Sequence, residues 1–165
     1  MKVLVTYYSE TGNTKKVAEA IHDGLEQVEK NIAPIDEVKD AGAWDLVYVG
    51  FPVKGNSVPG KAAAFLKGLP AGRKVGIFAT HGSLRGGPLA RTAFEYAGSL
   101  PQGSRVLGSF GCRGKVPQAV IDSALKNPEF KAWAEEASSA STHPDEADLK
   151  DAREWADNIL TKARA

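Results

Sequence analysis

The chain has 165 residues, of which 42% are hydrophobic, 25% charged and 8% aromatic, with a formal net charge of +1. That composition excludes a disordered chain, and no apolar run approaches the roughly 18 residues that a membrane-spanning helix needs. Scattered Lys and Arg at near-zero net charge give no basic patch for nucleic acid or an anionic membrane surface, so neither is expected as a partner. The only cysteine, Cys112, leaves no internal disulfide and no cysteine-built metal site. With no signal-peptide pattern at the N-terminus, a cytoplasmic, reducing setting is expected.

In chain order, short apolar runs alternate with helical stripes. Lys2 to Tyr8 reads as a buried strand ending in a polar turn. Val17, Ile21, Leu25 and Val28 then recur near the helical period and predict an amphipathic helix. A short strand is expected over Asn31 to Pro34, and Asp45 to Phe51 (DLVYVGF) reads as a strand covered on both faces. Pro59 sits just inside a second helix, whose inner face is Ala62, Phe65, Leu66 and Leu69.

Arg73 to Thr80 is a fourth strand. Pro88 opens a third helix with Leu89, Ala93, Tyr96 and Leu100 on one side, and Ser104 to Phe110 is a fifth strand. Pro117 and Pro128 each read as the first residue of a further helix. Ala137 to Thr142 (ASSAST) reads as a surface loop, and Pro144 to Ala163 as a last helix facing inward through Leu149, Ala152, Ala156 and Ile159. Strands alternating with helices predict an α/β fold in three layers, an open, mostly parallel five-stranded sheet with helices on both faces. Residues 1–165 read as a single domain, without repeats or a low-complexity linker.

Ligands of such sheets bind beyond the carboxyl ends of the strands. Ser9 to Thr14, Val53 to Val58 and Thr80 to Gly87 follow strands and are rich in Gly, Ser, Thr and Asn. Gly111 to Lys115 follows the fifth strand. In Ser9-Glu10-Thr11-Gly12-Asn13-Thr14, hydroxyls alternate with the free N–H groups of a helix start, which favours an anion, and Gly12 lets the loop curl. The loop has neither the Gly-Lys-Ser/Thr end of a triphosphate loop nor G-x-G-x-x-G. Lacking Lys and Arg, it suits a single phosphate monoester held by hydrogen bonds.

VLVTYYSETGNTKKVAEAI resembles the opening of the flavodoxin family, and HPDEADLKDAREWADNIL resembles the last helix of flavodoxin-like proteins. The resemblance implies a flavodoxin-like sheet of strand order 2-1-3-4-5 and FMN as cofactor. Its phosphate would be held by the hydroxyls of Ser9, Thr11 and Thr14 and the backbone amides of Glu10, Gly12 and Asn13. The flavin ring would lie between Pro52-Val53-Lys54-Gly55-Asn56-Ser57 and Thr80-His81-Gly82-Ser83-Leu84-Arg85-Gly86-Gly87. Family members commonly clamp the ring between Trp and Tyr. Neither occurs in these loops, since the tryptophans are Trp44, Trp133 and Trp155.

Val53, Lys54, His81 and Leu84 remain as ring contacts, with His81 alternatively a turn residue bonded to backbone. Arg85, Arg113 and Lys115 are candidates for positive charge near the ring edge. The net charge of +1 departs from the strongly acidic surface of a typical flavodoxin. Cys112 reads as a small buried residue at a strand end, or as a thiol activated by Arg113 and Lys115. The segment 115–142 exceeds a minimal flavodoxin; it packs over the flavin loops or forms a partner surface, with Phe130 and Trp133 as its own core anchors.

No G-x-S-x-G motif occurs, the three histidines show no metal-ligand spacing, and no catalytic acid or base stands out. His143-Pro144-Asp145-Glu146 reads as a helix start. The leading expectation is therefore an FMN-binding electron-transfer protein serving a redox partner protein, of open oligomeric state. An FMN-dependent NAD(P)H:quinone-type reductase and a flavodoxin-shaped interaction module with weak or no flavin binding are the alternatives.

Overall fold

The computed structural model describes residues 1–165. The strands are β1 (Lys2–Tyr7), β2 (Glu29–Pro34), β3 (Leu46–Pro52), β4 (Lys74–His81) and β5 (Arg105–Arg113). The helices are α1 (Asn13–Gly24), α2 (Gly60–Lys67), α3 (Pro88–Ser99), α4 (Gln118–Leu125), α5 (Lys131–Ser138) and α6 (Glu146–Arg164). The five strands form one parallel sheet in the order β2-β1-β3-β4-β5, the expected order.

Alternation along each strand divides the core. Val3, Val5 and Tyr7 of β1 face α1 and α6, packing with Val17, Ile21, Ala156 and Ile159. Leu4, together with Val47 and Val49 of β3, faces α2 and α3 through Ala62, Leu66 and Ala97. Tyr48 is wholly buried on the α6 side, where its hydroxyl donates to Ala156 O (2.6 Å) and its ring meets Trp155 edge-on at 5.7 Å. A third, smaller cluster of Ile121, Ala134 and Ala137 holds α4 and α5 together.

Several boundaries differ from the sequence reading. α1 stops at Gly24, so Val28 lies beyond it, and Gln27 adopts a left-handed φ of 54°. Pro59 and Pro117 cap α2 and α4 from outside, and α5 begins at Lys131 rather than Pro128. β5 continues through Gly111, Cys112 and Arg113, because these pair with Ala79, Thr80 and His81 and prolong the ladder. The supposed loop Ala137 to Thr142 begins as the end of α5, and Ala137 and Ala140 are buried. On α3 the inner face is Ala90, Ala93, Ala97 and Leu100, leaving Tyr96 41% exposed. Alanines at those positions let α3 lie close to the sheet, and the bulkier Tyr turns outward. No helix is long and apolar enough to cross a membrane.

Candidate functional site at the carboxyl edge of the sheet

Because all strands run the same way, the loops after β1, β3, β4 and β5 share one edge. The turn from β1 to α1 is set by Gly12 at φ 94°, a conformation that costs a side-chain-bearing residue energy. Ser9 Oγ accepts from Gly12 N (3.2 Å) and Lys15 N (3.3 Å) and so fastens the loop from inside. The backbone N–H groups of Glu10, Thr11, Asn13 and Thr14 find no acceptor in the chain. Unsatisfied donors at a helix start are suited to an anion. Thr11 is exposed, and Thr14 is buried.

The neighbouring loops are tied to this one. Thr14 Oγ1 lies 2.8 Å from Thr80 Oγ1 at the end of β4. Val53 N donates to Thr80 O (2.9 Å), joining the loops after β3 and β4. Lys54 and Ser57 exchange backbone hydrogen bonds around Gly55 and Asn56, at φ 55° and 56°. Left-handed φ at both central residues is the geometry of a type I′ turn, which Gly and Asn favour. Lys54 Nζ reaches back to both Glu10 carboxylate oxygens (2.7 and 2.6 Å), and Tyr8 OH donates to Glu10 Oε1 (2.6 Å). The Lys54 and Tyr8 hydrogen bonds hold the Glu10 carboxyl below its ordinary pKa. Asn13 Nδ2 donates to Lys115 O (2.9 Å), linking the same loop to the chain after β5.

A family model for the flavodoxin domain matches residues 4–157. The chain belongs to the flavodoxin family. It is 31% identical over 175 aligned positions to the flavodoxin-like domain-containing protein BilS of Clostridioides difficile, covering 99% of this chain and 98% of that protein. Solved structures share the fold. Flavodoxin 2 of Bacillus cereus superposes with a TM-score of 0.64 at 21% identity, over 98% of this chain and 99% of that one. A short-chain flavodoxin associated with a bacterial microcompartment gives 0.68 at 15% identity, over 99% of each. A flavoprotein of Lactobacillus acidophilus, solved in complex with FMN, gives 0.53 at 19% identity, over 74% of this chain and 97% of that one.

Within this flavodoxin domain, the segment after β4 is built differently from the loops at β1 and β3. His81, Gly82 and Ser83 are buried, whereas Leu84, Arg85 and Gly86 are exposed. His81 Nδ1–H donates to Ser83 O (3.0 Å), since a carbonyl can only accept, and Ser83 Oγ lies 3.2 Å away. Burial lowers the His81 pKa, with Arg113 and Arg85 acting in the same direction, so the ring is neutral at pH 7. This is the arrangement of a turn residue bonded to backbone. The Nε2 side lies over Gly111 of β5, at the rim of an open groove of about 890 Å³ along the outer edge of the sheet.

Arg85 and Arg113 both have their guanidinium groups committed to partners within the protein. Arg113 is buried, and its guanidinium donates to Ser83 O (3.1 Å), Gly82 O (3.0 Å), Glu136 O (2.7 Å) and Ser139 Oγ (3.0 Å). Arg85 pairs with Asp151 (2.5 Å) and stacks over Phe110, 5.0 Å from its centroid. The Lys115 side chain is exposed. Cys112 is a buried thiol whose pKa burial pushes up to about 12, so it is no nucleophile at pH 7.

The segment 115–142 packs on the loop after β4. A Cβ placed on Gly82 would lie 2.6 Å from Val116 and 3.1 Å from Ala137, with Trp133 at 3.5 Å, and Leu84 N donates to Glu136 Oε2 (3.1 Å). Trp133, remote in sequence, therefore meets the candidate site loop. Phe130 is 46% exposed and lies outside the cluster that joins α4 and α5, which Trp133 packs against. His143, Asp145 and Asp148 also gather, and helix capping accounts for them. Asp148 accepts from His143 Nδ1 (2.6 Å) and Asp145 N (2.9 Å), while Asp145 accepts from Asp148 N (2.9 Å). Sequence reasoning missed the Arg113 clamp, the Lys54–Glu10 pair and the Thr14–Thr80 contact as pairs. Their only signal was a polar residue at the end of an apolar run.

Proposed function

We propose that this chain binds FMN and passes electrons to or from a redox partner protein. The observation that carries the reading is the loop after β1. Four unpaired backbone N–H groups, a left-handed Gly12 and the hydroxyl of Thr11 stand at the start of a twelve-residue helix. This donor set fits a phosphate monoester: it is neutral, rich in N–H and O–H, and aligned with the positive end of the helix dipole. Membership of the flavodoxin family supports FMN as the phosphate's bearer.

In this reading Ser9 and Gly12 shape the loop, and Glu10, Thr11, Asn13 and Thr14 hold the phosphate. Pro52, Val53, Lys54, Gly55 and Asn56 flank one side of the ring. Thr80, His81, Gly82, Ser83, Leu84, Gly86 and Gly87 flank the other. Bound FMN supplies one- and two-electron chemistry that no side chain here provides. The chain's contribution is rigidity. Val53 N to Thr80 O fixes the two loops to each other, and Arg113 fixes Gly82 and Ser83 to α5. Loops already ordered lose less entropy on binding. His81, neutral and turned to backbone, brings no charge to the ring.

The test is the visible spectrum of the purified protein and an FMN titration of its apo form, by quenching of flavin fluorescence. One FMN per chain, weakened at least tenfold (about 1.4 kcal/mol) by Thr11→Ala with Thr14→Val, is expected. The reduced protein is then expected to deliver electrons to a haem-protein acceptor, and to show no turnover of NADPH with a quinone by itself. An apoprotein indifferent to FMN would overturn the reading. Sustained NADPH:quinone turnover by the chain alone would replace the carrier with a reductase.

A further inference from the structure

The loop after β1 carries its own competitor for an external anion. Among Ser9 to Thr14 the one charged side chain is Glu10, three residues before the start of α1. A helix start attracts any carboxylate within reach, because side chains satisfy its free N–H groups as readily as ligands do. A Glu10 side chain folded back over Thr11, Asn13 and Thr14 would fill the place proposed for the phosphate.

The carboxylate is held elsewhere. Neither of its oxygens accepts from a backbone N–H of the loop. Oε1 accepts from Lys54 Nζ (2.7 Å) and Tyr8 OH (2.6 Å), and Oε2 accepts from Lys54 Nζ (2.6 Å). Lys54 is in turn the one charged side chain among Val53 to Val58. It stands on a stiff mount. Its backbone closes the tight turn through Gly55 and Asn56, and the neighbouring Val53 N donates to Thr80 O. Tyr8 is steadied by Lys61, 5.9 Å over its ring and 2.7 Å from Asp36 Oδ2.

Lys54 and Glu10 are 52% and 39% exposed, and a pair so placed adds little to stability. Its effect falls on the site. The hydrogen bonds between them raise the Lys54 pKa and lower that of Glu10, so both stay charged at pH 7. With Lys54 present, the two loops add no net charge beside a bound phosphate. Without it, Glu10 adds one negative charge and is free to turn toward the N–H groups.

We propose that Lys54 is a positioning residue that makes the site selective for a phosphate-bearing flavin. Assisted by Tyr8, it holds the Glu10 carboxylate off the loop N–H groups and cancels its charge, which leaves those groups open to the phosphate. The inference rests on the reading that the loop after β1 holds the phosphate of FMN.

The apoprotein is titrated with FMN and with riboflavin, the same ring without the phosphate. The proteins compared are the wild type, Lys54→Met, Lys54→Arg and the double variant Lys54→Met with Glu10→Gln. The ratio of the two affinities isolates the phosphate and cancels any effect of Lys54 on the ring. Lys54→Met should lower that ratio about tenfold, the scale of one uncompensated charge at a half-exposed site. The double variant should bring it back to within about twofold of the wild type, since Gln carries no charge. Lys54→Arg should keep it, because a guanidinium also bonds both carboxylate oxygens. An unchanged ratio in Lys54→Met overturns the inference and leaves the FMN reading standing. So does a fall that the double variant does not repair, since Lys54 would then act on the phosphate directly. A wild type that binds FMN no tighter than riboflavin, or binds neither, overturns the phosphate reading and the inference with it.

Discussion

Thr14 and Thr80 are 66 residues apart in the chain, and their hydroxyl oxygens meet 2.8 Å apart in the protein interior. The contact joins the start of α1 to the end of β4, and thus the candidate phosphate loop to a candidate ring loop. Each hydroxyl is the other's buried partner. Thr14→Val keeps the shape and strands Thr80 Oγ1, which should cost about 1–3 kcal/mol. Thr80→Val should cost a similar amount. The double variant should be more stable than the sum of the two losses by about 1 kcal/mol, because no orphaned hydroxyl remains. Urea denaturation of the four proteins measures this. Strictly additive losses would show that the contact is not formed.

Arg113 is the fastening of the loop after β4. It holds a buried charge by hydrogen bonds to three carbonyls and one hydroxyl, with no carboxylate among them. Arg113→Met should cost about 3 kcal/mol, since Gly82 O loses its donor inside the protein and Ser83 O keeps only His81 Nδ1. Arg113→Lys should recover only part of this, because one ammonium cannot match the spread of the guanidinium. Denaturation gives the stability. Hydrogen exchange gives the location: the Leu84 amide, bonded to Glu136, should exchange faster in Arg113→Met, while amides of β1 should follow the global change alone.

Cys112 carries a pH prediction with a definite sign. Its folded pKa is raised to about 12 from 9.0, first by burial and then by Asp148. Below pH 9 the thiol is protonated in both states and the stabilising difference is whole. As pH rises from about 9 toward 12, the unfolded chain loses its proton first, and this contribution is lost. Accordingly the native protein should react with a thiol reagent at pH 8 orders of magnitude more slowly than the protein in 6–8 M urea (about that range for full unfolding). Alkaline titration should destabilise Cys112→Ala less steeply than wild type above pH 9. Rapid labelling of the folded protein at pH 8 would contradict the burial.

The ladder of strands was legible because a parallel sheet covered on both faces forces near-continuous apolar runs, as in Leu46 to Phe51. The hexapeptide Ser9 to Thr14 was legible because turn and helix-start chemistry is local. The errors share a cause. Gly111, Cys112 and Arg113 lack the apolar pattern of a strand, and only their pairing with Ala79 to His81 makes them one. Tyr96 fits the period of the α3 stripe, and only the closeness of that helix to the sheet expels it.

By itself the sequence determined the α/β alternation, the position of the candidate phosphate loop and the family, because period, turn residues and a contiguous motif act over a few residues. The tertiary structure decided which polar groups are spent on the fold. It committed Arg113 to backbone carbonyls, Arg85 to Asp151, Lys54 to Glu10, and His81 to its own turn. It also brought Trp133 under Gly82, and Asp36 beside the loop after β1. The physical reason is one of range. A charge or an aromatic ring takes whichever partner the topology brings within a few ångströms, and that partner can lie anywhere in the chain.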